Sequence, residues 1–262
     1  MRSRILHSQF TRFGLCLVVF AASVSLLSST ASAEVYELRT YTTHEGKLDD
    51  LHARFRDHTI KIFDKHGMKS VGYWVPMDEA HSKNTLIYVL EHESREAARA
   101  SWKAFGNDPD WKAAYKASTA DGKLLSKPPV AVYMEKTDYS PAFESGEAGK
   151  DVVYELRTYR AAEGKLAPLD ARFRDHTIGL FDRHEIQSVA YWHQAVPVDQ
   201  YGALIYLVRH QSADAAKVAW KSFSTDPDWK KVALASKEKD GSLLRERLQS
   251  VYMKPTDYSA MK

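Results

Sequence analysis

The chain has 262 residues, with 37 Lys+Arg against 34 Asp+Glu and a single cysteine, Cys16. Three of the basic residues (Arg2, Arg4 and Arg12) fall in the first 33, so the remainder carries 34 charges of each sign. That balance argues against nucleic-acid binding or membrane coating, and one cysteine cannot form an internal disulfide or a cysteine metal cluster.

Residues 1–33 open with those arginines, continue through the apolar run Phe13–Leu27 and end on Ala31-Ser32-Ala33. This is the order of a secretory signal peptide with a small-residue cleavage site. Cleavage after Ala33 is expected, giving a secreted or periplasmic protein that has lost Cys16 and has no membrane attachment. No later apolar run approaches the length of a membrane span.

The rest of the chain is written twice. Val35–Tyr41 (VYELRTY) recurs as Val153–Tyr159, and Ala53–Ile60 (ARFRDHTI) recurs as Ala171–Ile178. Trp74, Trp102 and Trp111 match Trp192, Trp220 and Trp229, each 118 residues on. A period of that length is a duplicated domain. The expected boundaries are a leader over 1–33, a first repeat over 34–140, a linker over 141–151 and a second repeat over 152–262.

Within the first repeat, Val35–Thr43 alternates and is rich in strand formers. Leu48, Leu51, Phe55, His58 and Ile62 then fall on one helical stripe, which Gly67 closes as a left-handed cap. Ser70–Val75 and Thr85–Glu91 read as strands. Ser94 caps a helix carrying Trp102 and Phe105, and Asp108-Pro109-Asp110 reads as the start of another. Val130–Glu135 is the last strand. The order βαββαβ is the ferredoxin-like unit, so the fold class is α+β, as tandem ferredoxin-like repeats. One face of each sheet is left bare by its helices, and the second copy is its natural cover.

The segments Tyr36-Glu37-Leu38-Arg39-Thr40-Tyr41, Gly46-Lys47, Phe55 to Gly67 and Gly72-Tyr73-Trp74 together resemble the NIPSNAP family, once per repeat. The resemblance implies a dimeric α/β barrel, here a pseudo-symmetric one closed by two halves of one chain, with further oligomerisation open. Some members of the wider superfamily are monooxygenases, whereas NIPSNAP proteins look more like binding proteins. The second repeat departs from the pattern where Gly67 becomes Glu185 and Gly72 becomes Ala190. Glutamate takes the left-handed region at a cost, so that helix end is expected to differ between the halves.

On the first strand Glu37, Arg39 and Tyr41 share one face, and Tyr36 and Leu38 share the other. If the apolar set meets the helices, the polar set lines the barrel lumen together with Glu155, Arg157 and Tyr159. An acid and an arginine so placed could fix a polar ligand, or simply form a structural ion pair. His58 and His176 sit on the apolar helical stripe and could serve as acid–base groups or as packed core histidines. Tyr73/Trp74 and Tyr191/Trp192 point to opposite faces of a strand, so one of each pair reaches the lumen, and Tyr73 and Tyr191 join the candidates. His66 lies two turns beyond His58, and neither HExxH nor HxxxH occurs, so no metal is expected. No cofactor is expected either: the P-loop and dinucleotide fingerprints are missing. These readings point to a non-catalytic protein binding a small molecule or protein partner in the lumen. The alternative is a monooxygenase-like enzyme acting there on a small aromatic molecule or haem.

Overall fold

The computed structural model describes residues 34–143, 149 and 151–261. The expected leader lies outside these, as do residues 144–148 and 150 of the linker. The first half runs β1 (Val35–Thr42), α1 (Leu48–Arg54), a π-helical turn (Phe55–Thr59), α2 (Ile60–Lys65), β2 (Lys69–Pro76), β3 (Thr85–His92), α3 (Arg95–Asn107), α4 (Pro109–Ser118) and β4 (Val130–Lys136). The second half repeats it as β5 (Val153–Arg160), α5 (Leu166–Arg172), a π-helical turn (Phe173–Thr177), α6 (Ile178–Arg183), β6 (Gln187–Val196), β7 (Ala203–His210), α7 (Ala213–Thr225), α8 (Pro227–Asp240) and β8 (Gln249–Pro255). No described helix is long and apolar enough to cross a membrane.

The strands close one antiparallel barrel in the order β1-β3-β2-β8-β5-β7-β6-β4. Closure depends on two seams between the halves. At one, β2 pairs with β8 from Trp74↔Pro255 to Pro76↔Met253; at the other, β4 pairs with β6 from Tyr133↔Val196 to Lys136↔Trp192. The segment after each outer strand then crosses to the opposite half. Thr256 N–H donates to the Tyr73 carbonyl and Ser259 Oγ accepts from Tyr73 N–H, while Arg56 grips Asp257 through two bonds of 2.7 and 2.8 Å. Thr137, Ser140 and Asp138 do the same for Tyr191 and Arg174. The repeated Thr-Asp-Tyr-Ser segments are thus a pair of crossed clasps.

Strand alternation sorts the side chains, but with the opposite sense from that expected. The interior is filled by the apolar set: Tyr36, Trp74, Ile87 and Val89 meet Tyr154, Trp192, Ile205 and Leu207 in one cluster. Aromatic contacts cross it, Tyr36 to Trp192 at 5.7 Å and Trp74 to Tyr154 at 5.5 Å between ring centroids. Glu37, Arg39, Tyr41 and Tyr73, with Glu155, Arg157, Tyr159 and Tyr191, therefore lie on the helix side of the sheet. The reason is physical. The interior offers these charges only the apolar face of the other half, whereas α3 and α7 supply hydrogen-bond donors.

The π-helical turns correct a second expectation. Ile60 N–H bonds to the Phe55 carbonyl, and Thr59 Oγ1 bonds to the Arg54 carbonyl at 3.1 Å. The wider turn takes up one extra residue. Thr59 and Thr177 consequently point inward, and His58 and His176 are exposed rather than on the core stripe.

The helix ends also depart from expectation, because they match. Gly67 has φ 71° and Glu185 has φ 58°, and Met68 and Ile186 N–H reach back to the Phe63 and Phe181 carbonyls alike. Glu185 is held there from both sides: His184 is bonded to Asp226 at 2.7 Å, and Ile186 is fully buried. Replacing Glu185 by Gly should relieve the left-handed strain and raise stability by about 1 kcal/mol, read as a higher Tm. An unchanged Tm would mean that the backbone stores no strain there. Residues 34–140 expressed alone should form a homodimer by light scattering, because each fragment then supplies the seams and clasp of the other.

Candidate functional site

Each half carries one buried polar cluster between its sheet and its helices. In the first, alternate positions of β1 hold Glu37, Arg39 and Tyr41 side by side. Glu37 is 0% exposed and accepts from Arg39 Nη1 at 2.6 Å, Trp102 Nε1 at 2.7 Å and His92 Nε2 at 3.0 Å. The Arg39 guanidinium lies 4.2 Å from the Trp102 ring centre and reaches the Tyr41 hydroxyl at 3.4 Å. In the second, Glu155 accepts from Arg157 at 2.7 Å, Trp220 at 2.6 Å and Ser250 Oγ, with His210 Nε2 at 3.4 Å. Ser250 stands across from Arg157 where the first half has Ala131 across from Arg39.

Burial alone would raise the Glu37 and Glu155 carboxyls. The bonds from His92, Arg39 and Trp102 at Glu37, and from Arg157, Ser250 and Trp220 beside the nearby His210 at Glu155, outweigh it, and both carboxyls sit below their usual value. A carboxylate occupied by three donors has little capacity left to take a proton from a substrate at neutral pH. Tyr73 and Tyr191 are buried in the same layers, where burial raises their hydroxyls and Ser70 and Ser188 bond them at 2.6 Å. The structure thus gathers Glu37, Arg39, Tyr41 and Tyr73 in one half and Glu155, Arg157, Tyr159 and Tyr191 in the other, in two separate cores. His58 and His176 belong to neither. The residues that complete the clusters, His92/His210 and Trp102/Trp220, were visible only as matched pairs; the histidines end the two strands TLIYVLEH and ALIYLVRH.

The large open space is elsewhere. A groove of about 1000 Å³ runs between α5–α6 and α8 on the second half, and His176 and Arg172 line it. Arg172 lies over the Trp229 ring, 5.4 Å from its centre, and its Nε is buried without a hydrogen-bond partner. The matching Arg54 is enclosed: it is 5% exposed, donates to Ser118 Oγ at 3.2 Å and is covered by Trp111 and Tyr115. Among the described residues, no three His, Cys, Asp or Glu side chains gather as a metal site.

A closed eight-stranded barrel made by two matching halves, with helices outside and aromatic side chains within, defines a mixed α/β barrel protein. The NIPSNAP family model matches it twice, at residues 36–140 and 154–260, and the chain belongs to that family. No curated protein matches it by sequence. Among solved structures it is similar to a monooxygenase-like protein of Lactobacillus acidophilus, with TM-score 0.53 and 9% identity over 88% of this chain and 97% of that one. An anthrone oxidase-like protein gives TM-score 0.54 and 13% identity, covering 88% and 95%. A NIPSNAP family protein of Agrobacterium tumefaciens gives TM-score 0.37 and 22% identity, covering 44% of this chain and 98% of that one.

Because the Glu37 and Glu155 carboxyls are lowered in the folded state, their stabilisation is complete above the unfolded value of about 4.3 and is lost as pH falls through the lower folded values. Glu37→Gln should cost about 3 kcal/mol near pH 7, since it leaves Arg39 buried without its counter-charge. The difference from the parent should shrink as the pH of a denaturant series is taken below about 4. A difference that stays constant down to acid pH would mean that Glu37 is not ionised in the fold.

Proposed function

We propose that the chain is an exported, non-catalytic binding protein of two ferredoxin-like units, and that its ligand occupies the groove on the second half rather than the barrel interior. The carrying observation is the contrast between those two spaces. The interior is occupied by the protein's own Tyr36, Trp74, Tyr154 and Trp192, each no more than 2% exposed. The groove is open and combines apolar walls with an arginine that has no hydrogen-bonded partner. The donor-saturated Glu37 and Glu155 support the same reading, since they act as structural counter-charges. Export rests on the composition of residues 1–33.

A monooxygenase-like enzyme is the second reading. The Tyr88 and Tyr206 hydroxyls favour it, being fully buried beside Arg39 and Arg157 without a hydrogen-bond partner. An aromatic substrate reaching either tyrosine would have to displace core side chains, which ranks this below binding.

Fluorescence titration with the neutral apolar dye Nile red should show saturable binding by the full chain. A bulky substitution on the groove wall, Ala235→Trp, should weaken it without lowering Tm. Oxygen uptake with an anthrone, and absorbance on adding haem, should both stay at buffer levels. Oxygen consumption or a haem spectral shift would replace the binding reading with the enzyme reading.

A further inference from the structure

We propose that the groove over Arg172 selects an apolar monocarboxylate, with the carboxylate on the Arg172 guanidinium and the hydrocarbon laid between α5 and α8. The proposal rests on the binding reading above and specifies its ligand.

The two halves serve as an internal comparison. Both keep an arginine at the end of the first helix, over a tryptophan, and neither provides it with a carboxylate. Arg39, Arg157 and Arg160, also at least partly buried, each have one within 2.7 Å. In the first half the unpaired cation is sealed in by Tyr115 and Ser118. In the second half the position matching Tyr115 is Ala233, and Arg172 is partly exposed and lines the groove. Burial lowers its proton affinity, and it is the tyrosines Tyr159 and Tyr206, not a carboxylate, that act against this.

The substitutions on α5 and α6 open one wall of the groove, while on α8 Ala113 of the first half becomes Lys231 at the opposite edge. Asp49 and Asp50 of the first half become Ala167 and Pro168, and Lys61 becomes Gly179. Each of these three changes removes a charged or long side chain from the α5–α6 wall of the groove, and α8 runs four residues longer than α4 to extend it. Loss of two carboxylates removes repulsion toward an anion, and loss of the lysine clears the α5–α6 wall above Arg172. A guanidinium fork matches a carboxylate in two parallel bonds, and small apolar walls accept a hydrocarbon body. The rim sets the charge of the ligand. Asp228 is already tied to Arg183 at 2.7 Å, and the other lining charges, Lys231 and Lys239 with Asp175 and Asp240, cancel in number. The lining thus carries a net charge of one positive, which suits a monoanion better than a phosphate.

The test is displacement of Nile red from the full chain by decanoate and by decanol, which share a chain length and differ in charge. Decanoate should bind about tenfold tighter or more, the size of a charge-assisted hydrogen bond. Arg172→Gln should erase that preference while decanol still binds. Ala233→Tyr, which restores the covering ring of the first half at a half-buried position, should weaken decanoate even if Arg172→Gln folds poorly. Equal displacement by the two compounds, or a preference that survives both variants, overturns the carboxylate assignment and leaves the groove-binding reading standing. Failure of the dye and of both compounds to bind the parent protein overturns both.

Discussion

Neither half of this protein can dispose of its own sheet. Helices cover one face of four strands, and the other face carries Tyr36, Trp74 and Ile87 or their counterparts, too much apolar surface to leave in water. The barrel is the solution to that constraint: each sheet is the other's solvent-excluding layer. The remaining features are consequences of it. Filling the interior with aromatic rings sends the charged alternate positions outward, toward the helices. There Glu37 survives burial because Arg39, Trp102 and His92 all bond to it. The seams and crossed clasps then hold the two sheets in register.

The period-two alternation of VYELRTY was fully legible, and so were the helix caps at Ser94 and Asp108, whose side chains accept from Ala97 and from Asp110 and Trp111. Alternation says that two faces differ, and not which one points inward. Reading Glu37 and Arg39 into the lumen took the usual preference of helices for apolar partners as decisive. The deciding residues, Trp102 and His92, lie 65 and 55 positions away in sequence. His58 was misplaced for a different reason: a regular helix puts it on the stripe, and only a π-helical turn shifts the phase by one. Glu185 shows tertiary contacts overriding a local backbone preference, because His184 and Ile186 fix the path on either side.

The groove was invisible to sequence reading because it consists of absences. Alanine at 233, glycine at 179 and proline at 168 carry no chemical signal of their own. They gain meaning only beside Tyr115, Lys61 and Asp50, and only once Arg172 is known to lie beneath them. Duplication makes such divergence permissible. In a symmetric homodimer every change to one groove is made to both, whereas here Arg54 stays sealed while its twin is uncovered.

The crossed clasps have a consequence for assembly. Each seam joins a first half to a second half, and nothing in its contacts specifies that the two belong to one chain. Two molecules could exchange halves and satisfy every clasp. What favours closure within one molecule is the covalent connection of the two halves, since a tethered partner is held at an effective concentration in roughly the millimolar range, above that reached by free chains. That connection is therefore a selector of molecularity. Stiffening it beyond the reach of the seam would turn the same contacts into a chain-to-chain polymer, with no change to any residue of the barrel.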